Sequence, residues 1–352
     1  MKTIKDIIET LQPVDMSLQP TIQEHLDDLT KPQGSLGYLE DFAMRYCLIT
    51  GTATPVFGKK QIVTFAADHG VAIEGVSAYP QEVTSQMVRN MLTGGAAVNA
   101  LARHANADVV VIDIGVNDPL DNASGLIRKK IKNGSDNIAV GPAMTLSETY
   151  AAMQVGSDIA IASAQEGYTL LGTGEMGIAN TTPSAALFTA MLPCSVEEIT
   201  GRGTGISDDV FTRKIAIIKQ ALAVNTAWCT DPVATLAALG GFEIAGICGL
   251  IMGAASQKIP VVVDGFISSA AALAACRICP AVSGYLFFSH CSAEQGHATF
   301  FRLFNVKPVL DLKMRLGEGT GAALAMQIVE GAVKVYNEMA TFSSAGVSGK
   351  AD

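Results

Sequence analysis

Short apolar runs recur along the chain, with helix-length stretches rich in alanine between them. Gln61-Ile62-Val63-Thr64-Phe65-Ala66-Ala67 ends in Asp68-His69-Gly70, and similar runs occupy 108–115, 168–171, 258–265 and 284–289. Each is apolar on both faces and closes on Gly, Asp or Ser, the pattern of a strand buried on both sides. The stretches 83–104, 147–166, 183–192, 207–224, 242–257, 267–279 and 320–337 predict helices, and 2–12, 19–29 and 38–48 predict three more before the first strand. Buried strands alternating with helices predict an α/β fold, a mostly parallel sheet flanked by helices. Glycine and polar residues gather where the strands end, which is where open α/β sheets hold ligands. No internal repeat or linker interrupts the pattern, and the Ser/Gly/Ala-rich tail from about 343 to 352 is expected to be disordered.

Composition narrows the function classes. The 352 residues are 49% hydrophobic and 16% charged, enough apolar material for a large core. Net charge is −9, and the densest basic run is Arg128-Lys129-Lys130 with Lys132. That is too little for a nucleic-acid footprint, so nucleic acid is not expected as a partner. The apolar segment 239–282 carries Glu243, Lys258 and Asp264 and is broken by Pro260 and Gly265, which suits buried helices and a strand, not a membrane span. Seven cysteines with no signal-peptide pattern predict reduced thiols and a cytoplasmic address.

Five motifs have chemistry to offer. Gly317-Glu318-Gly319-Thr320-Gly321 sets a carboxylate among glycines between apolar runs. It is either a helix-entry loop with a solvated Glu or a base whose pKa the apolar setting raises. Gly172-Thr173-Gly174-Glu175-Met176-Gly177 satisfies the dinucleotide spelling GxGxxG, but the following helix starts later, at the cap Asn180-Thr181-Thr182-Pro183. The other reading is a loop whose Glu175 wraps a ribose or phosphate. Gly201-Arg202-Gly203-Thr204-Gly205, with Arg213-Lys214 beyond it, is either a phosphate cradle or an ordinary turn. Cys276 and Cys279, with His290-Cys291 downstream, could be drawn as a metal site; small buried thiols are the commoner outcome, and no metal is expected. Asp68-His69 is either a catalytic pair or a turn, and no GxSxG elbow accompanies it.

Taken together, five segments resemble one family. Lys31-Pro32-Gln33-Gly34-Ser35-Leu36-Gly37-Tyr38-Leu39-Glu40, Ala67-Asp68-His69-Gly70-Val71, Gly174-Glu175-Met176-Gly177-Ile178-Ala179-Asn180-Thr181-Thr182-Pro183, Val263-Asp264-Gly265-Phe266 and residues 314–325 are similar to the nicotinate-nucleotide:dimethylbenzimidazole phosphoribosyltransferases of cobamide synthesis. The resemblance is collinear from about residue 2 to 340. It implies a large Rossmann-like domain (51–334) and a small helical domain from both termini (1–50 and 335–352). It also implies a homodimer, or a heterodimer with a paralogous subunit, in which the partner reaches toward the active site. The implied reaction moves the 5-phosphoribosyl group of nicotinate mononucleotide to an aromatic base with inversion at C1′, and needs no cofactor. By the same matching, Glu318 is the base. Glu175, Met176, Gly177, Gly203, Lys214 and Ser292 hold the ribose and phosphate. Tyr79, Met87, Leu316 and Gly317 meet the acceptor.

One departure bears on the acceptor. Benzimidazole-using relatives would have Ser where Tyr79 stands and Gln where Met87 stands. A less polar, smaller pocket makes phenol or p-cresol an alternative acceptor. A non-catalytic paralogue would be expected to have lost Glu318 or the 174–183 segment, and both are intact.

Overall fold

The computed structural model describes residues 2–203 and 205–348. Three helices open the chain: α1 Ile4–Thr10, α2 Gln19–Asp28 and α3 Tyr38–Thr50. Then come β1 Lys59–Ala67, α4 Val83–Leu92, α5 Ala97–Ala105, β2 Ala107–Gly115, the two-residue β3 Ile127–Arg128, α6 Leu146–Gln165 and β4 Tyr168–Met176. Five helices follow β4: α7 Thr181–Met191, α8 Val196–Ile199, α9 Asp208–Asn225, α10 Pro232–Leu239 and α11 Phe242–Ser256. The chain closes with β5 Val261–Val263, α12 Phe266–Ile278, β6 Leu286–His290, α13 Gln295–Phe304, β7 Pro308–Leu310, α14 Thr320–Glu338 and α15 Phe342–Ala345.

The sheet order is β3-β2-β1-β4-β5-β6-β7, and every pairing is parallel. This is the Rossmann order with one strand added. β1 pairs with β2 on one side and β4 on the other, so the sheet changes its direction of growth between β1 and β4. A crevice opens at the strand C-termini there. β1 is buried from its second residue to its last, Lys60, Gln61 and Thr64 included. Helices pack closely because small residues face each other: a Cβ on Gly249 of α11 would collide with the Met153 carbonyl of α6.

The main core takes in both faces of the sheet, including Phe65, Leu171, Phe242, Val262 and Met326. A second cluster joins Ile22, Leu26, Leu29, Ala43, Met44, Cys47 and Leu48 to Ala332 and Tyr336, so α2 and α3 share a core with the far end of α14. Ile4 and Ile7 of α1 lie in the main core instead. Among the described residues no helix is long and apolar enough to cross a membrane.

Three local expectations are corrected. The single helix expected over 83–104 is two, divided at Thr93–Ala96, where Gly94 adopts φ +81°. The Gly172-Thr173-Gly174 segment is not a loop; β4 continues through it to Met176. The tail expected to be disordered begins as α15, whose first turn is capped by Thr341 Oγ1 accepting from the Ser344 N–H. Residues 349–352 of that tail, and Thr204 of the second glycine motif, lie outside the described residues.

Candidate active site

The Gly317-Glu318-Gly319 segment enters α14 through three successive left-handed residues, with φ of +82°, +65° and +94°. At Gly317 a side chain would also strike Glu175 Oε1. Only the middle position carries a side chain, at a cost in backbone strain. Two anchors fix this turn from below. Asp264, at the end of β5, accepts from the Gly319 N–H through Oδ2 (3.0 Å) and from the Ala322 N–H through Oδ1 (2.9 Å). Its carboxylate thus satisfies orphan donors at the start of α14. Glu175 Oε1 accepts from the Glu318 N–H at 3.3 Å.

The Glu318 carboxyl is buried, at 7% exposure, and its Oε2 has no hydrogen-bond partner. Burial, with the nearby Asp264 carboxylate as the lesser cause, pushes its pKa up to about 7. Burial lifts Glu175 further, to about 8, against the hydrogen bond from the Asn180 side-chain amide. Burial raises Asp264 as well, opposed by His290 and by the N–H groups of α14. Three carboxyl groups crowded into one dry site invite a cationic ligand.

Glu175 and Glu318 border a cleft of about 640 Å³ at the β1/β4 switch point, with Asp264 beneath them. Val76, Tyr79, Val83, Met87 and Leu316 make one end apolar. Tyr79 and Leu316 are each 55% exposed and stand at the mouth. At the other end Gly203 donates its N–H to both Glu294 oxygens (2.9 and 3.0 Å). Lys214, fully buried, donates to Thr181 Oγ1 (2.7 Å) and the Gly201 carbonyl (3.2 Å), leaving one of its three N–H donors. Burial lowers Lys214 to about 8, against the pull of Glu294. Arg315 donates to the Gly203 carbonyl at 3.2 Å from the cleft's edge. Ser292 is set by His297: the Ser292 N–H donates to Nδ1 (2.9 Å), so the ring proton sits on Nε2, against Ser269 Oγ (2.9 Å). Burial holds His297 down, at about 3, so it stays neutral. With the Gly203 and Ser292 N–H groups spent on Glu294 and His297, the Arg315 guanidinium and the Ser292 hydroxyl are the donors this end can offer a phosphate.

Of the residues named from the sequence, Glu318, Glu175, Met176, Gly177, Gly203, Ser292, Tyr79, Met87, Leu316 and Gly317 all line this cleft. Lys214 stands behind it, beneath the Gly201–Gly203 backbone. Thr181, Glu294 and Arg315 were not among the site residues drawn from the sequence; Thr181 and Arg315 lie within segments that carry the resemblance, whereas Glu294 arrives through packing 91 residues away from Gly203. The Asp68-His69 pair does not line the cleft: His69 Nε2 lies 2.6 Å from Glu243 Oε1, both groups buried. Cys276 and Cys279 are buried, and burial pushes the Cys276 thiol up to about 12. Among the described residues no group of three or more His, Cys, Asp or Glu is placed to hold a metal.

A Rossmann-order sheet with a phosphate-sized donor set and a dry carboxyl at its switch point defines a nucleotide-binding transferase site. A family model described as phosphoribosyltransferase matches residues 11–347. The chain belongs to the nicotinate-nucleotide–dimethylbenzimidazole phosphoribosyltransferase (CobT) family and is an enzyme of that class. It is 59% identical over 348 residues to the enzyme of that name from Chlorobaculum parvum, covering 99% of each chain. Identity to the Geobacter sp. (strain M21) enzyme is 52% over 348 residues, covering 99% of this chain and 100% of the other. The crystal structure of CobT from Thermus thermophilus superposes with a TM-score of 0.90 at 42% identity, covering 94% of this chain and 99% of that one.

Proposed function

We propose that the chain transfers the 5-phosphoribosyl group of nicotinate mononucleotide to an aromatic lower-ligand base, in assembly of the cobamide nucleotide loop. The observation that carries this reading is Glu318: a dry carboxyl with an unpartnered oxygen, standing between an apolar end and a phosphate-binding end of one cleft. The nucleotide's phosphate takes the end with Gly203 and Ser292, backed by Lys214 beneath the Gly201–Gly203 backbone. Its pyridinium meets the carboxyl cluster, and its positive charge offsets the crowding of Glu175, Asp264 and Glu318. The acceptor ring enters between Val76, Tyr79, Met87 and Leu316, with Gly317 leaving room beside it.

In the reaction the acceptor nitrogen attacks C1′ from the α face as the C1′–N bond to nicotinate breaks on the β face. The bonding pair leaves with nicotinate, neutralising its ring nitrogen. Glu318 takes the proton that the acceptor must lose. Holding acceptor and C1′ in line inside the cleft supplies much of the rate. Dimethylbenzimidazole is the acceptor in the names of the relatives, and we take it as the first candidate here. A second reading, phenol or p-cresol, is favoured by one observation: both Tyr79 and Met87 line the cleft, where they make the acceptor end less polar. For a phenol the same step forms a C1′–O bond and Glu318 takes the hydroxyl proton. A dimer, with itself or with a paralogous subunit, fits the exposed Tyr79 and Leu316 at the mouth.

The experiment is incubation with nicotinate mononucleotide and each acceptor, with products resolved by mass. Nicotinate and an α-riboside phosphate are expected. No nicotinate release with any acceptor would overturn the reading, and a benzimidazole product alone would remove the phenol alternative.

A further inference from the structure

His290 closes β6 on the floor of the cleft, in no role that the reaction above assigns. Its side chain is buried, at 1% exposure, and lines the site. The hydrogen bonds around it fix where its proton sits. Ser289 Oγ lies 2.6 Å from the Asp264 backbone carbonyl, which can only accept, so the Ser289 hydrogen is committed there. Ser289 Oγ also lies 2.9 Å from His290 Nδ1, and with its hydrogen spent it can only accept. Nδ1 therefore carries a proton, and Nε2 is the ring atom left to face the cleft. That Nε2 is buried and has no partner in the protein. Leaving such a group unpaired is costly, and a built site supplies the partner with the ligand.

Position says which part of the ligand. On one side His290 abuts the entry to α14, where a Cβ on Gly321 would strike Nδ1. On the other side the chain runs in two residues to Ser292, at the phosphate end. A ring between Glu318 and Ser292 lies beneath whatever joins C1′ to the 5′-phosphate, which is the ribose. The phosphate and the acceptor have the two ends of the cleft, and the sugar lies between them. A ribose hydroxyl both donates and accepts, so it pairs with Nε2 whichever way the proton lies.

We propose that His290 Nε2 makes a hydrogen bond with a ribose hydroxyl of the bound nucleotide. The inference rests on the phosphoribosyl-transfer reading for its ligand, and it makes His290 a determinant of ribose over deoxyribose. The rigid chain Asp264–Ser289–His290 holds the ring by the same residue that anchors the Glu318 turn, so sugar and base are positioned from one support.

The test measures affinity for nicotinate mononucleotide and its 2′-deoxy and 3′-deoxy forms in the unmodified protein and in His290→Phe. One deoxy form is expected to bind roughly tenfold more weakly to the unmodified protein, the size of one net hydrogen bond. In His290→Phe the parent nucleotide falls to that level and the gap closes. A gap that persists in the variant, or no gap in the unmodified protein, would overturn the proposal. A purely structural role for His290 would weaken all three ligands together and leave the gap in place. If the variant does not fold, the unmodified protein labelled with 15N-histidine decides: the Nε2 resonance of His290 moves on adding the parent nucleotide and moves less with the weaker deoxy form, and an unmoved resonance sinks the idea. Failure of the functional reading looks different, because the unmodified protein would then neither bind the nucleotide nor release nicotinate.

Discussion

At the scale of single residues, the chemistry turns on Glu318. Its carboxyl must be ionised to take a proton, and burial sets its pKa near 7. In the free enzyme kcat/KM is therefore expected to rise with pH through a midpoint close to 7, measured by nicotinate release across pH 5.5–8.5 (roughly 1.5 units either side). Glu318→Gln removes that limb and lowers kcat on the order of 100-fold or more, while calorimetric affinity for the nucleotide changes by less than about threefold. Lys214→Met is expected to act the other way: it removes the donor linking Thr181 and Gly201, raises KM for the nucleotide by roughly tenfold or more, and leaves the acceptor KM in place. Glu318 was legible because its glycine neighbours are adjacent in sequence. Lys214 was legible as a cation beyond the second glycine motif, but nothing near it in the chain shows that α9 buries its amine. Glu294 was not legible at all; its task is to hold the Gly203 N–H, a contact 91 residues away.

At the scale of elements, the GxGxxG spelling misleads for a physical reason. Gly172 and Gly174 are strand residues whose missing side chains let α14 and its entry turn lie against β4. A Cβ on Gly174 would lie 2.5 Å from Thr64 Oγ1 and 2.7 Å from the Glu318 carbonyl. Gly174→Ala is expected to cost about 1–3 kcal/mol by overpacking and to displace the base. Chemical denaturation with kcat measured on the same sample checks it; unchanged stability and turnover would contradict the packing account. The strong apolar runs gave β1, β2, β4, β5 and β6 their places, because burial on both faces leaves no alternation to confuse. β3 has only two residues, and β7, three residues like β5, starts at a proline and is only half-buried, so no closed apolar run marks it. α13 was also missed, since Gly296 in its first turn argues locally against a helix start.

At the scale of the molecule, buried titrating groups make stability depend on pH with a definite sign. Glu175 and Glu318 hold protons when folded up to about 8 and 7, whereas an unfolded chain releases them near 4.5. The native state binds more protons across that interval, so their contribution is full below 4.5 and is lost as pH rises to 8. His297, held near 3, acts oppositely but only below 6.5, and Lys214, lowered to about 8, acts oppositely only from 8 upward. Between pH 6.5 and 8 the melting temperature is therefore expected to fall with pH, and to fall less steeply in Glu175→Gln, as read by scanning calorimetry. Saturating nicotinate mononucleotide flattens the slope further, because its pyridinium favours the ionised carboxyls. The left-handed twist at position 318 has a last implication for anyone improving this protein. Heat-selected libraries will drift toward glycine there, since glycine relaxes the twist and removes a crowded acid at once. The hardiest descendants would then be inert ones, and selection for durability alone would discard the enzyme's reason to exist.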